Sequence, residues 1–165
     1  QKVRLSPMPI ATNSDKTDIS LEVKTAELAK NFSNILKKGD VVFFHGEIGV
    51  GKTTFIRYLI NNFQKKNNQK ITEVTSPTFN LVNEYEIGNL IIQHYDLFRL
   101  KNAADIKNIG LLENYQDLLT LVEWPEKIEI EIKDKIDLFF RYGKDFNERF
   151  LHIEGLSKEK LNVIR

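Results

Sequence analysis

Apolar side chains recur at helical spacing through Leu21, Leu28, Ala29, Phe32, Ile35 and Leu36, the stripe of a helix with one buried face. Ser20 is placed to cap this helix and Gly39 to stop it. Val41-Val42-Phe43-Phe44-His45 is a short continuous apolar run, the signature of a buried strand. After a glycine-rich turn, Phe55, Ile56, Leu59, Ile60 and Phe63 predict a second helix from 52 to about 64. Positions 65–70 are polar and predict an exposed connection. The segments 79–86 and 90–95 flank Gly88-Asn89 and predict a β-hairpin. Positions 102–112 fit a helix. Positions 118–123 fit a strand ended by Trp124-Pro125, and 128–132, 136–141 and 150–153 fit further strands. Residues 1–19 are polar, with Pro7 and Pro9, and predict an extended or disordered lead-in to a single domain at 20–165. Strand, loop, helix, hairpin and further strands together predict an α/β domain: a mixed parallel and antiparallel central sheet flanked by helices.

Composition narrows the class. With 165 residues, 41% hydrophobic and 28% charged, the chain suits one globular domain. No apolar run approaches a membrane span, so no membrane role is expected. Cysteine is absent, which removes disulfides, thiolate metal sites and cysteine nucleophiles. With no secretory apolar segment, a cytoplasmic location is the expectation. A net charge of +1 gives no bulk field for nucleic acid.

The turn after the first strand carries the chemistry. Gly46-Glu47-Ile48-Gly49-Val50-Gly51-Lys52-Thr53 matches G-x-x-x-x-G-K-[ST], with Thr54 following. Backbone N–H groups of such a loop converge on phosphate oxygens, and the helix that follows aims its N-terminus at the same anion. Lys52 then reaches the β- and γ-phosphates, and the Thr53 hydroxyl can ligate Mg²⁺. A chain of this length matches the pattern by chance less than about once in a hundred. The loop gives a nucleotide, not a reaction. No Asn-Lys pair exists to read guanine, no Asp-x-x-Gly follows the loop, and no Leu-Ser-Gly-Gly-Gln is present.

Other residues admit two readings each. Glu123 ends an apolar strand, where a Walker-B acid approaches Mg²⁺, or it is a solvated strand-end charge. Asp96 ends the second hairpin strand, where a carboxylate can orient or deprotonate an attacking water or hold a metal-bound water, or it caps a helix or pairs with Arg99. Ser76-Pro77-Thr78 offers hydroxyls towards a cation or γ-phosphate, or is a plain loop-to-strand transition. Trp124 packs the nucleotide pocket or anchors a partner, or it simply packs in the core. His45 and His94 lack metal-ligand spacing and default to structural roles.

Three segments join the loop in a fixed order: 76–85 (Ser-Pro-Thr-Phe-Asn-Leu-Val-Asn-Glu-Tyr), 94–100 (His-Tyr-Asp-Leu-Phe-Arg-Leu) and 121–126 (Leu-Val-Glu-Trp-Pro-Glu). In order and spacing they resemble the TsaE (YjeE) family, over about residues 20–127. The family consists of small bacterial ATPases needed to form threonylcarbamoyl-adenosine (t6A) in tRNA. The resemblance implies a P-loop NTPase-type fold with ATP and Mg²⁺ as cofactors. It implies that Thr53 and Glu123 hold the metal, Lys52 and Asp96 act in catalysis, and Glu22 and Thr25 approach the adenine. It also implies a partner, the heterodimer of the threonylcarbamoyl-transferase and its inactive paralogue, with tRNA reached through that complex. ATP hydrolysis would reset the complex between turnovers and would be weak in the isolated chain. A small-molecule kinase and a non-hydrolysing nucleotide-binding module remain as alternatives.

Overall fold

The computed structural model describes residues 16–165, so positions 1–15 of the expected lead-in lie outside the described residues. Seven strands form one sheet: β1 (Lys16–Asp18), β2 (Val41–His45), β3 (Val82–Ile87), β4 (Leu90–Asp96), β5 (Leu119–Glu123), β6 (Ile136–Tyr142) and β7 (Arg149–Glu154). Their order is β1-β7-β6-β2-β5-β4-β3. The central strands β6, β2, β5 and β4 run parallel; β3 and β7 flank them antiparallel, and β1 pairs antiparallel with β7 and so runs with the central strands. The sheet is therefore mixed, as the hairpin required.

Helices α1 (Glu22–Ser33) and α2 (Lys52–Lys66) cover one face, α3 (Ala103–Asn108) lies against the other, and α4 (Lys158–Ile164) packs beside α1. Every residue of β2 is buried because both faces of the sheet are covered there, which is why its sequence reads as an unbroken apolar run. The larger core cluster lies beneath α1 and α2, where Phe55 meets Phe32, Phe44 and Phe140 with ring centroids 5.5–5.9 Å apart. The smaller cluster holds Val41, Phe43, Tyr95 and Val122 from the opposite side.

Several boundaries move. Leu21, not Ser20, precedes the first turn of α1; the Ser20 hydroxyl instead accepts from the Arg149 N–H at 3.0 Å and fastens the chain to β7. The helix stops at Ser33, before Gly39, where the Lys66 ammonium donates to the Ser33 carbonyl at 2.8 Å and satisfies an orphan acceptor. The hairpin opens at Val82, and Phe79 projects 81% exposed. The helix expected over 102–112 ends at Asn108, and Gly110, Leu112 and Asn114 turn the chain with positive φ. No strand forms at 128–132: Ile128 is buried as an anchor, but Glu129, Ile130 and Glu131 are exposed and pair with nothing in the sheet.

Candidate functional site

β2 delivers the chain to Gly46, and the loop from Gly46 to Gly51 needs its glycines for separate reasons. Gly46, Gly49 and Gly51 have φ of 146°, 79° and 117°. A Cβ on Gly46 would stand 2.7 Å from the Phe140 carbonyl oxygen and 2.9 Å from Val50 Cγ1, so packing as well as dihedral excludes a side chain. Gly51 precedes the first turn of α2, which contains no acidic residue of its own, so no side chain within that turn offsets the partial positive charge of its N–H groups. Val50 fixes the loop by burying its side chain in the core, while Glu47 and Ile48 are exposed at its rim.

Lys52 is buried inside this turn. Its ammonium donates to the Gly46 carbonyl at 2.5 Å and lies 3.9 Å from the centroid of the Trp124 ring. Burial pushes its pKa down, and Glu123, Glu126 and Asp96 push back. Trp124 reaches this position because its backbone takes a left-handed turn, φ 59°, immediately after β5.

The acids come from strand ends. Asp96 and Glu123 are paired in register across β4 and β5, and both side chains reach the side of the sheet that carries α2. Thr53 Oγ1 donates to Glu123 Oε1 at 3.0 Å. Ser76 Oγ lies 3.2 Å from Glu123 Oε2 and also contacts Asp96 Oδ2. His94 Nε2 lies 2.7 Å from Glu123 Oε2. Burial raises the Glu123 pKa, but the hydrogen bond and charge of His94, the Lys52 ammonium and the Thr53 hydroxyl outweigh it and hold the carboxyl below its ordinary value. Asp96 also accepts from the Phe98 N–H at 3.0 Å, while Arg99 lies over the Phe79 ring at 4.3 Å rather than pairing with it. Ser76 arrives through the segment 67–81, which Gln64 pins by two hydrogen bonds to Thr72.

Two clefts of about 340 Å³ meet at the loop, sharing Gly51 and Thr54. One is lined by Lys52, Thr53, Ser76, Thr78, Asp96, Glu123 and Trp124. The other is lined by Glu22, Thr25, Phe146, Asn147 and Arg149. Glu22 is tied to Arg57 at 3.0 Å and Thr25 is buried. Of the residues singled out in the sequence, Glu22, Thr25, Lys52, Thr53, Thr54, Ser76, Thr78, Asp96, Glu123 and Trp124 line these two clefts, whereas His45 is bound to Asp137 away from them. Phe146, Asn147 and Arg149 were not foreseen, because the β6–β7 turn carries no motif. His94 was foreseen only as structural, although its two-residue spacing from Asp96 places both on one strand face.

Among the described residues no group of three or more His, Cys, Asp or Glu side chains is set to hold a metal ion. Mg²⁺ needs none. It keeps several waters, binds through one or two protein oxygens and takes the rest from phosphates. The hard oxygens of Thr53 and Glu123, with a buried carboxyl held ionised, fit that requirement and are the residues that could hold it. No helix among the described residues is long and apolar enough to cross a membrane.

The model of the family described as "Threonylcarbamoyl adenosine biosynthesis protein TsaE" matches residues 19–150. The chain belongs to the TsaE family. Proteins named tRNA threonylcarbamoyladenosine biosynthesis protein TsaE are similar along most of it. The Rickettsia felis protein is 42% identical over 66% of this chain and 61% of its own length, and the Haemophilus influenzae protein 33% identical over 64% and 68%. The chain thus spans about three fifths of the length of the Rickettsia relatives it first matches. The crystal structure of Bacillus subtilis YdiB shares the fold, with a TM-score of 0.64 over 90% of this chain and 89% of that one, at 22% identity. The TsaE match begins at β1–α1 and ends in β7, so it takes in the loop, both acids and the β6–β7 turn.

Proposed function

We propose that this chain binds Mg-ATP and hydrolyses it as a subunit of the machinery that forms threonylcarbamoyl-adenosine in tRNA. It would act on the heterodimer of the threonylcarbamoyl-transferase and its inactive paralogue. One observation carries the reading. Thr53, Ser76, Asp96 and Glu123, from four separate segments, converge on one hydrogen-bonded cluster at the phosphate end of the loop. A glycine turn with an incidental lysine would have no reason to be faced by two buried carboxylates. The names of the similar proteins supply the biological process.

In this reading the loop N–H groups from Gly46 to Thr54 bind the phosphates, and the base lies in the cleft of Glu22 and Thr25. Mg²⁺ would neutralise charge on the β- and γ-phosphates and leave two ligand positions to Thr53 and Glu123. Lys52 leaves the Gly46 carbonyl and the Trp124 face to meet the γ-phosphate, where its charge stabilises the negative charge that develops on transfer. Asp96, which lines the same cleft as Lys52 and Thr53, would hold and orient the attacking water. The switch-like segment carrying Ser76 and Thr78 touches both acids, so occupancy of the site changes the conformation of a loop that a partner can read.

The test is a time course of threonylcarbamoyl-adenosine formation with the transferase heterodimer well below tRNA concentration. Repeated turnover that depends on this chain and on ATP is expected. Equal modification without the chain refutes the biological assignment. Phosphate release that needs an added small-molecule acceptor refutes hydrolysis in favour of a kinase.

A further inference from the structure

Glu123 has two carboxylate oxygens, and they are held differently. Oε1 takes the Thr53 hydroxyl at 3.0 Å. Oε2 takes His94 Nε2 at 2.7 Å and the Ser76 hydroxyl at 3.2 Å. Hydroxyls rotate, and those of Thr53 and Ser76 line the cleft proposed to take the phosphates. His94 is different in kind. Its ring is fixed within β4, in register with Leu121 of β5, and it is 0% exposed. A carboxylate oxygen only accepts, so Nε2 carries the proton. Nδ1 has no hydrogen-bond partner among the described residues. A buried imidazole with one ring nitrogen left unpartnered carries an uncompensated polar atom. Simple core packing would place an apolar side chain there, as the neighbouring Ile92 and Leu121 do.

We infer that His94 is a positioning residue: its Nε2–H clamps Glu123 Oε2 so that Oε1 is presented to Thr53 and to a divalent cation beside the phosphates. This rests on the reading of Glu123 as the cation-side acid. The side chain of Glu123 turns about three bonds, and the clamp removes the rotation that would swing Oε1 away. A ring nitrogen that orients a metal-binding carboxylate acts as outer-shell support, whose loss lowers metal affinity about 10–100-fold.

Two substitutions separate the hydrogen bond from the packing. In His94→Gln the amide nitrogen can occupy the place of Nε2; in His94→Asn it occupies the place of Nδ1 and falls short of Glu123. Both remove the ring. Mn²⁺ affinity is measured by electron paramagnetic resonance with ADP bound, next to Glu123→Gln, and fluorescent ADP binding in EDTA serves as the metal-free readout. Mn²⁺ affinity is expected to fall about tenfold in His94→Asn, and to stay within about threefold of wild type in His94→Gln. Metal-free ADP affinity is expected to be unchanged in both. His94→Met fills the space without a donor and is expected to behave as His94→Asn; it serves if the asparagine chain does not fold. Equal loss in the glutamine and asparagine variants shows that the ring's packing matters and overturns the inference. Wild-type affinity in His94→Asn or His94→Met with a loss in Glu123→Gln overturns it while sparing the Glu123 reading. No change in Glu123→Gln overturns both.

Discussion

Replacing Gly46 by alanine tests the loop at the point where its geometry is most constrained. The new methyl would meet the Phe140 carbonyl oxygen at 2.7 Å, Val50 Cγ1 at 2.9 Å and Phe140 Cβ at 3.1 Å. Phe140 belongs to β6, whose pairing with β2 fixes that carbonyl, so the obstruction is backbone and does not swing aside. The dihedral adds to it, since a φ of 146° is a region that L side chains rarely adopt. Backbone strain costs about 1–3 kcal/mol and overpacking about 1–3 kcal/mol more. For a chain of this length each kcal/mol moves Tm about 2–4 °C, so Gly46→Ala should lower Tm by about 5–20 °C. Gly51→Ala is the control. Its φ of 117° is strained too, but the nearest atom to a new Cβ is Arg149 Nη1 at 4.0 Å, so only the backbone part applies. Differential scanning fluorimetry of the two variants decides the matter. A fall for Gly46→Ala no larger than that for Gly51→Ala would refute the steric reasoning.

Lys52→Ala should lower phosphate release about a hundredfold or more, since a cation facing developing phosphate charge is removed; steady-state phosphate assays on the folded variant check it. Asp96→Ala should still bind ATP, measured by calorimetry, yet fail to support repeated threonylcarbamoyl-adenosine formation, because nucleotide binding rests on the loop and Lys52. Away from the site, burial raises the Asp137 pKa, but His45 at 2.7 Å and Lys135 at 2.5 Å outweigh it and hold the carboxyl below 3.8. A depressed carboxyl contributes stability above its unfolded pKa and loses it as pH falls through the folded value. Asp137→Asn should therefore be less stable than wild type at pH 7, with the gap closing below about pH 4 in urea titrations.

What the sequence made legible was local. The phosphate loop is a contiguous motif with a buried strand before it and an amphipathic helix after it, so composition and spacing alone placed it. Ending an apolar run left two readings open for each acid, and the choice between them came from the resemblance to the TsaE family. The contacts that join them are not local. Glu123 meets Thr53 across 70 positions and His94 across 29, and no periodicity predicts which strands become neighbours. The pairing of Lys16–Asp18 with β7 is likewise a tertiary choice, since three polar residues carry no strand signal of their own. At 128–132 the isoleucines alternate with glutamates as in a strand, but the segment joins neither edge of the sheet: β1 and β3 hold those places, and β7 takes the position beside β6. Helix α4 was missed because its seven residues bury only Ile164, too little to register as a stripe.

Trp124 is the sole tryptophan of the chain, and its ring lies under the Lys52 ammonium. Its indole emission therefore comes from one place, and that place is the phosphate end of the site. A cation lies 3.9 Å from the ring centroid, and if a bound phosphate draws that cation off, as the proposed function requires, both intensity and wavelength should change. On the proposed function, the protein would thus carry its own optical probe of occupancy. Excitation near the red edge of tyrosine absorption would then follow ligand arrival and departure on the stopped-flow timescale, with no dye attached and no residue replaced.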